Sequence, residues 1–304
     1  MSDSVNVLPA RTPHKIFSPA RVAAIASNTL LELVRLKVFY FLLIFALLII
    51  AASGFTSVFE LQFQGEFQIL KDMSLGAMSI FTLLLSILTT SAMLPKDIED
   101  RTLYTILAKP VPRVEYLMGK LAGVFLLLLI SVLVMSAMFV AALYAKQQWA
   151  IAATMHNGAL TPEQMHYGIL DIKAHTFTMS LVPCITLIYL TSALMASLTL
   201  LISTFATSSI FTIFIATTAY FIGNVESVAR EYYYSQTSVS QVAKIFLTAL
   251  ALFFPDLQLF NLIDDIVAGN AIATTLFLKT AGLGCVYVTV YSFVAYVIFA
   301  FKEL

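Results

Sequence analysis

The stretch PKDIEDRTLYTILAKPVPRVEYLMGK, Pro95–Lys120, is the densest charged segment of a chain that is otherwise mostly apolar. Uncharged runs lie on both sides of it, from Met73 to Pro95 and from Leu121 to Ala145. Each run is as long as the roughly 20 apolar residues that a transmembrane helix needs. The sequence therefore predicts two membrane spans joined by a polar segment in water, long and patterned enough to be a docking surface.

The composition of the whole chain agrees with a membrane protein. Its 304 residues are 60% hydrophobic and 11% charged, with a mean hydropathy of +0.92. Soluble domains carry about 25% charged residues, so a soluble core could not hide this much apolar surface. We therefore expect an all-α integral membrane fold. A net charge of zero gives no electrostatic case for nucleic-acid binding. Cys184 and Cys285 lack the spacing of a zinc site or a disulfide framework.

The uncharged runs predict six spans within a single transmembrane domain, residues 18–304, after a cytoplasmic lead-in at 1–17. Polar loops are predicted at Glu60–Asp72 and Lys146–Lys173. The predicted spans cover residues of about 38–59, 73–95, 116–145, 175–202, 209–225 and 278–301.

The second half of the chain needs two further assignments. Ala174–Val225 contains no acid, lysine or arginine and is long enough for two spans, so the hydroxyl-rich Ser203–Ser209 is the predicted turn between them. Pro183 is predicted to kink the first of these two spans. Beyond them, the apolar stretch Ile245–Pro255 is too short to cross a bilayer. It indicates re-entrant or interfacial helices before span six.

The N-terminal region reads as an amphipathic elbow helix. Ser18 and Pro19 are favoured at the N-cap and the first helical position. Apolar and polar side chains then separate onto two faces between Ala20 and Lys37. Such a helix would lie in the membrane interface, although the segment could also be the hydrated beginning of span one. Its expected interfacial residues are Arg21, Glu32, Arg35 and Lys37.

The basic residues predict the orientation. With the N-terminus inside, the inner segments hold 11 of the 17 Lys and Arg residues, which leaves six for the outer segments. The positive-inside rule then places both termini and the Pro95–Lys120 segment in the cytoplasm.

Chemical motifs for catalysis are absent from the sequence. The four histidines form no metal-ligand pair, and there is no G-x-S-x-G elbow. No G-x-x-x-x-G-K-[ST] motif is present, so the chain has no P-loop of its own. The predicted spans contain almost no acids, which disfavours an ion-coupled carrier.

The Pro95–Lys120 segment itself divides into a short helix, a turn and the start of span three. Asp97 is placed to cap the short helix, with Glu99 and Asp100 in its first turn, where the helix dipole favours acids. The residue before a proline disfavours helix, so Lys109-Pro110 would end it. The helix would lie along the membrane surface, held by spans two and three. The alternative is a charged connection that serves topology alone.

The segment resembles the signature loop of the type 2 ABC transporter permease family. That family shows an acidic residue, a short helix, a proline-arginine turn and a Gly-Lys pair opening span three. The matching residues are Glu99, Thr102, Leu103, Leu107, Lys109, Pro110, Arg113, Tyr116, Gly119 and Lys120. Two features depart from the family: Arg101 stands where a glycine is common, and the outer loop after Ala145 is longer than in the simplest members.

The resemblance implies a permease subunit of an ATP-driven exporter, in which a separate ABC ATPase subunit binds ATP and Mg²⁺ and a second permease copy or paralogue completes the transporter. It assigns a coupling helix that contacts the ATPase, formed by Asp97, Glu99, Asp100, Arg101, Thr102, Leu103, Ile106 and Leu107. It assigns the turn and the start of span three to Lys109, Pro110, Arg113, Glu115, Gly119 and Lys120.

Two other functions stay open at this point. The chain could be a non-transporting subunit or scaffold that transmits ATPase-driven change to an extracytoplasmic protein, with the long outer loop as the contact. It could also be a membrane-embedded enzyme or ion-coupled carrier, which the lack of buried acids and ligand clusters disfavours.

Overall fold

The computed structural model describes residues 18–54, 63–99, 112–156, 161–206, 208–235, 254–269 and 272–301. All regular structure in these ranges is helical, which confirms the all-α prediction. The helices are α1 (Pro19–Val34), α2 (Lys37–Ser53), α3 (Phe63–Glu99), α4 (Arg113–His156), α5 (Pro162–Thr176), α6 (Leu181–Phe205), α7 (Ser209–Ser235), a 3₁₀ helix (Leu257–Phe260), α8 (Ile263–Val267) and α9 (Thr274–Phe301).

Five of these helices, α3, α4, α6, α7 and α9, are long and apolar enough to cross a membrane. The α1–α2 pair, bent by 68°, makes a sixth if it is counted as one span. The predicted elbow helix corresponds to α1 in the chain, and its position in the membrane interface stays a prediction. The helices are those of a multi-pass membrane protein.

Two of the predicted polar loops are wrong where the structure describes them. α3 begins at Phe63, inside the predicted loop Glu60–Asp72, and α4 continues to His156 before α5 begins at Pro162. Gln, Glu, Lys and Leu recur in these stretches and favour helix, so their polarity does not indicate irregular backbone. At 1.5 Å per residue, α3 and α4 are about 55 and 66 Å long, well beyond the roughly 30 Å of a hydrocarbon core.

The second helical hairpin is where the sequence places it. α6 ends at Phe205 and α7 begins at Ser209, so the turn falls in the predicted Ser203–Ser209 stretch. Pro183, however, does not kink the middle of a span. It lies in the first turn of α6, where a missing N–H removes no intrahelical bond.

α3 and α6 form the centre of the bundle, and most of their apolar windows are buried. α4 and α7 flank them, and α9 packs against α6. The predicted helices before span six are present in part: the 3₁₀ helix and α8 lie against the bundle with Leu257, Phe260 and Ile266 buried. Of the predicted Ile245–Pro255 stretch, residues 245–253 lie outside the described residues. The end of α3 and the start of α4 meet α1, the end of α9 contacts the start of α4, and this meeting point is the candidate site.

Candidate functional site: a polar junction beside residues 100–111

Charged side chains gather where α1, the end of α3 and the start of α4 meet. We call this cluster the polar junction; its members are Arg21, Glu32, Lys96, Asp97, Glu115, Tyr116 and Lys120. Residues 100–111, which connect α3 to α4, start and finish beside it. The junction therefore brings together residues that the sequence separates widely.

Asp97 is the centre of the junction. Its Oδ2 lies 2.8 Å from the Lys120 Nζ, and it accepts a hydrogen bond from the Tyr116 hydroxyl. Asp97 is 6% exposed, Lys120 is 5% exposed and Tyr116 is fully buried. A charge in such a place needs partners to offset its desolvation, and Asp97 has both a cation and a hydrogen-bond donor. These contacts join the last turn of α3 to the first turns of α4.

Glu32 brings α1 into the same network. Its Oε1 accepts a hydrogen bond of 2.9 Å from the Lys96 Nζ, and its Oε2 lies 3.6 Å from the Lys120 Nζ. Partial burial raises the pKa of the Glu32 carboxyl, but the Lys96 hydrogen bond and the charges of Lys120 and Lys96 outweigh it. The net pKa is below its ordinary value, so Glu32 is an anion at neutral pH.

Glu115 fastens the beginning of α1 to the beginning of α4. Its carboxylate accepts hydrogen bonds from Arg21 Nε at 2.6 Å, from Arg21 Nη2 at 2.8 Å and from the Ser18 backbone N–H at 2.6 Å. Ser18 stands at the predicted N-cap position, with Pro19 at the first helical position, but its side chain makes no cap bond. A carboxylate from another helix satisfies that end of α1 instead. The Arg–carboxylate pair is bidentate, which fixes direction as well as distance.

The junction also reaches the end of α9. Arg113 Nη1 donates to the carbonyl oxygens of Ala300 at 2.8 Å and Phe299 at 3.2 Å. These are among the last carbonyls of a helix, which lack intrahelical donors and attract cations. The Tyr116 ring stacks on the Phe299 ring with a centroid distance of 6.0 Å. One turn of α4 thus contacts α1, α3 and α9.

Two glycines allow α1 to lie this close to α4. A Cβ at Gly119 would lie 2.7 Å from the Ile25 Cβ, and one at Gly123 would lie 2.9 Å from the Ala26 carbonyl oxygen. Only glycine permits that approach. The sequence analysis named Gly119 but missed Gly123, although the Gly-x-x-x-Gly spacing is a known signal for close helix packing in membranes.

Replacing Gly123 with valine is expected to destabilise the fold by about 2–3 kcal/mol, since the new side chain would overlap backbone of α1 that cannot move aside easily. Thermal melting in detergent checks this result. Gly282→Val is the matched control, because a Cβ at Gly282 meets open space on α9. Equal melting temperatures for the two variants would contradict the close packing of α1 on α4.

The structure places the predicted site residues unevenly. Arg21, Glu32, Asp97, Glu115 and Lys120 come together, while Arg35 and Lys37 are exposed at the α1–α2 bend. The side chain of Glu99 and the rest of the assigned segment lie outside the described residues: Asp100, Arg101, Thr102, Leu103, Ile106, Leu107, Lys109 and Pro110.

One role assigned from the sequence is wrong. Asp97 does not cap a new helix, because α3 continues through Pro95 to Glu99. Its carboxylate instead contacts Lys120 and Tyr116 of α4. Arg21 and Glu32 contact α4 and α3, and their side chains are 30% and 35% exposed, so their interfacial role stays a prediction.

The sequence analysis missed a second buried ion pair at the other end of α4. Lys146 Nζ lies 2.8 Å from Glu66 Oε2 of α3 and 5.2 Å from the centroid of the Trp149 ring. Lys146 is 5% exposed and Glu66 is 6% exposed. Both residues lie in segments that the sequence predicts as polar loops. A single charged residue among helix-forming residues could have indicated a buried pair, but the sequence does not show which residue is its partner.

The polar junction is suited to mechanical linkage. Its charges are paired and come from several helices. It therefore links the positions of these helices to one another and does not present a reactive group. Among the residues that the structure describes, no group of three or more His, Cys, Asp or Glu side chains is placed to hold a metal ion.

In comparisons with known proteins, no family model and no curated protein matches the chain.

Proposed function

We propose that the chain is the permease subunit of an ATP-driven ABC exporter, in which residues 99–107 dock a separate ATPase subunit and the buried Asp97 anchors that segment to α4. The observation that carries the proposal is the polar junction. The residues on both sides of 100–111 are held to each other and to α1 and α9 by buried charged contacts. Movement of the connecting segment would therefore be transmitted to four helices at once, namely α1, α3, α4 and α9.

The sequence pattern supports the same proposal. The resemblance of Glu99–Lys120 to the signature loop of type 2 ABC permeases is carried by ten positions, and Tyr116, Gly119 and Lys120 among them take part in or border the junction. The excess of Lys and Arg on this side favours a cytoplasmic location for it. In the absence of a P-loop in this chain, ATP and Mg²⁺ would bind in the partner.

The number of helices supports a further partner. Six spans, with the bent α1–α2 pair counted as one, are half of the set that the resemblance implies for a complete transporter, so a second permease copy or a paralogue would complete it. Membrane lipids would cover the exposed apolar side chains on α4, α7 and α9. We place the chain in a bacterial inner membrane with both termini in the cytoplasm.

A second candidate function is transmission of ATPase-driven change to an extracytoplasmic protein. The observation that favours it is the helical extension, which we define as the first turns of α3, the last turns of α4 and all of α5. Its interior is ordered by the Glu66–Lys146 pair and by a capping box in which Thr161 and Gln164 bond each other's backbone. A rigid projection continuous with the spans could carry movement to a partner outside.

Affinity purification of the tagged chain from its native membranes in mild detergent tests the proposal. We expect a P-loop ATPase to co-purify, and the pair Glu99→Lys plus Asp100→Lys to release it, because both acids lie in the assigned docking segment. The matched control is Asp264→Lys plus Asp265→Lys, which reverses two adjacent exposed acids at the other end of the bundle.

Three outcomes separate the candidates. Loss of the ATPase with the first pair alone supports docking through residues 99–107. Retention of the ATPase by both pairs contradicts it. Deletion of Thr154–His166 should spare the ATPase, and release of a different, extracytoplasmic protein by that deletion would favour transmission over export.

A further inference from the structure

A cavity of about 210 Å³ lies inside the chain, away from the polar junction. Its walls come from α3, α6 and α7, and the segment from Leu257 to Ile263 closes one side. Ile80 and Asn261 line it and are exposed, so it opens to the surface between α3 and that segment. All three walling helices are long and apolar enough to cross a membrane. Polar groups that line a cavity between such helices cost free energy unless a ligand or water forms hydrogen bonds with them.

Three polar side chains on one side of the cavity already donate a hydrogen bond to a backbone carbonyl. Each of them still has an oxygen that can accept a hydrogen bond from a ligand. Thr191 and Ser192 donate their only hydroxyl hydrogens to the carbonyl oxygens of Leu187 and Tyr189. The Asn224 Nδ2 donates to the Tyr220 carbonyl oxygen, which leaves the side-chain Oδ1 as an acceptor. A ligand on this side can therefore donate to all three oxygens, and it can accept from the second hydrogen of the Asn224 Nδ2.

The remaining wall has a different character. Asn261 accepts a bond from the Ile263 N–H through Oδ1, so its Nδ2 can donate, and the Tyr220 hydroxyl can donate or accept. Phe260 and Leu83 supply apolar surface beside these groups. The cavity is therefore suited to a ligand that has several hydrogen-bond donors, some hydrogen-bond acceptors and one apolar side.

We infer that this cavity binds a single uncharged, hydroxyl-rich group of about the size of one sugar ring. None of the described residues that line it carries a charge, so a charged ligand would lose its hydration without a counter-ion from them. An apolar ligand would leave the hydroxyl and amide groups without partners. The volume lies below the roughly 300 Å³ at which sites for drug-sized ligands begin, which excludes larger glycans within the cavity.

The same chemistry could arrive on a lipid or as a free sugar. Either ligand could enter past the exposed Ile80 and Asn261. The site is independent of the ATPase assignment, because it is built within one chain from residues outside the polar junction.

Gly76 gives a steric test of occupancy. It lines the cavity, and a Cβ placed there meets open space, so Gly76→Leu would fill the cavity without a clash at its first atom. Leucine also favours helix more than glycine does, so the melting temperature should not fall. Gly282→Leu is the matched control, since Gly282 also faces open space but lies on α9 outside the cavity.

The polar walls give a second test. Thr191→Val and Asn224→Leu keep side-chain size and remove one hydrogen-bonding group each, so each should weaken binding about five- to tenfold. Thr218→Val is the control on α7, because Thr218 makes the same bond to its own helix but is exposed away from the cavity.

The full chain is placed in phosphatidylcholine nanodiscs that contain monoglucosyl diacylglycerol, and bound lipid is counted by native mass spectrometry. In a parallel arm, radiolabelled methyl glucoside is added to nanodiscs of phosphatidylcholine alone. We expect binding in at least one arm, at least about tenfold weaker in Gly76→Leu and unchanged in Gly282→Leu and Thr218→Val.

Binding in the lipid arm alone identifies a headgroup as the source, and binding in the methyl glucoside arm alone identifies a free sugar. Binding in neither arm would overturn the inference and leave a water-filled cavity. Equal binding by Gly76→Leu and wild type, or a preference for phosphatidylglycerol over the glucosyl lipid, would overturn it as well.

Discussion

Replacing Lys120 with methionine is expected to lower the free energy of unfolding by about 3–5 kcal/mol, because the Asp97 carboxylate then stays buried without its cation. Asp97 is 6% exposed and lies 2.8 Å from the Lys120 ammonium. Methionine matches the length of the lysine stem, so little packing is lost with the charge. Denaturant titration in detergent micelles measures the change.

Lys96→Met is the matched control for this prediction. Lys96 also pairs with an acid of α1, Glu32, but its side chain is 47% exposed. An exposed pair contributes less than about 1 kcal/mol, so this variant should unfold close to wild type. The double variant Lys120→Met with Asp97→Asn should regain most of the loss, since no charge is stranded. A Lys120→Met protein as stable as Lys96→Met would show that Asp97 is not buried as described.

Lys146→Met is expected to destabilise the helical extension by about 3 kcal/mol, because Glu66 would lose its buried cation. Trp149 is the only tryptophan of the chain and its ring lies 5.2 Å from the Lys146 Nζ. Its fluorescence should therefore change in the folded variant and report the loss of order locally. Denaturant titration followed at this tryptophan measures the loss.

Lys173→Met controls for removal of a positive charge from the same extension, since Lys173 is exposed on α5. It should leave both the fluorescence and the stability of the extension unchanged. Lys146→Met should also keep its ATPase partner, because the helical extension and the polar junction lie at opposite ends of α4. Release of the ATPase by Lys146→Met would contradict that separation of roles.

Hydropathy and local signals were enough for the overall plan of the fold. The uncharged runs predict the long apolar helices, because the bilayer requires a continuous apolar stretch. The hydroxyl-rich Ser203–Ser209 marks the turn of the second hairpin, and Ser18-Pro19 marks the start of α1. Each of these features depends on neighbours in the sequence alone.

The contacts that build the candidate site could not be predicted in the same way. Arg21 and Glu115 are 94 positions apart in the sequence, and nothing in either neighbourhood names the other. Charged residues such as Lys146 and Glu66 were assigned to loops because a single sequence shows polarity without showing burial. Whether Asp97 begins a helix or lies inside one is decided by its bonds to Tyr116 and Lys120, which are tertiary.

The central claim is that residues 99–107 bind an ATPase subunit, and site-specific photo-crosslinking from Leu103 in native membranes tests it most directly. Leu103 is one of the residues that the resemblance assigns to the coupling helix, and Leu259, which is 50% exposed at the other end of the bundle, is the control position. The account predicts a crosslink from Leu103 to a P-loop ATPase and none from Leu259. A crosslink to that ATPase from Leu259 but not from Leu103, or no ATPase crosslink at either position, would contradict it.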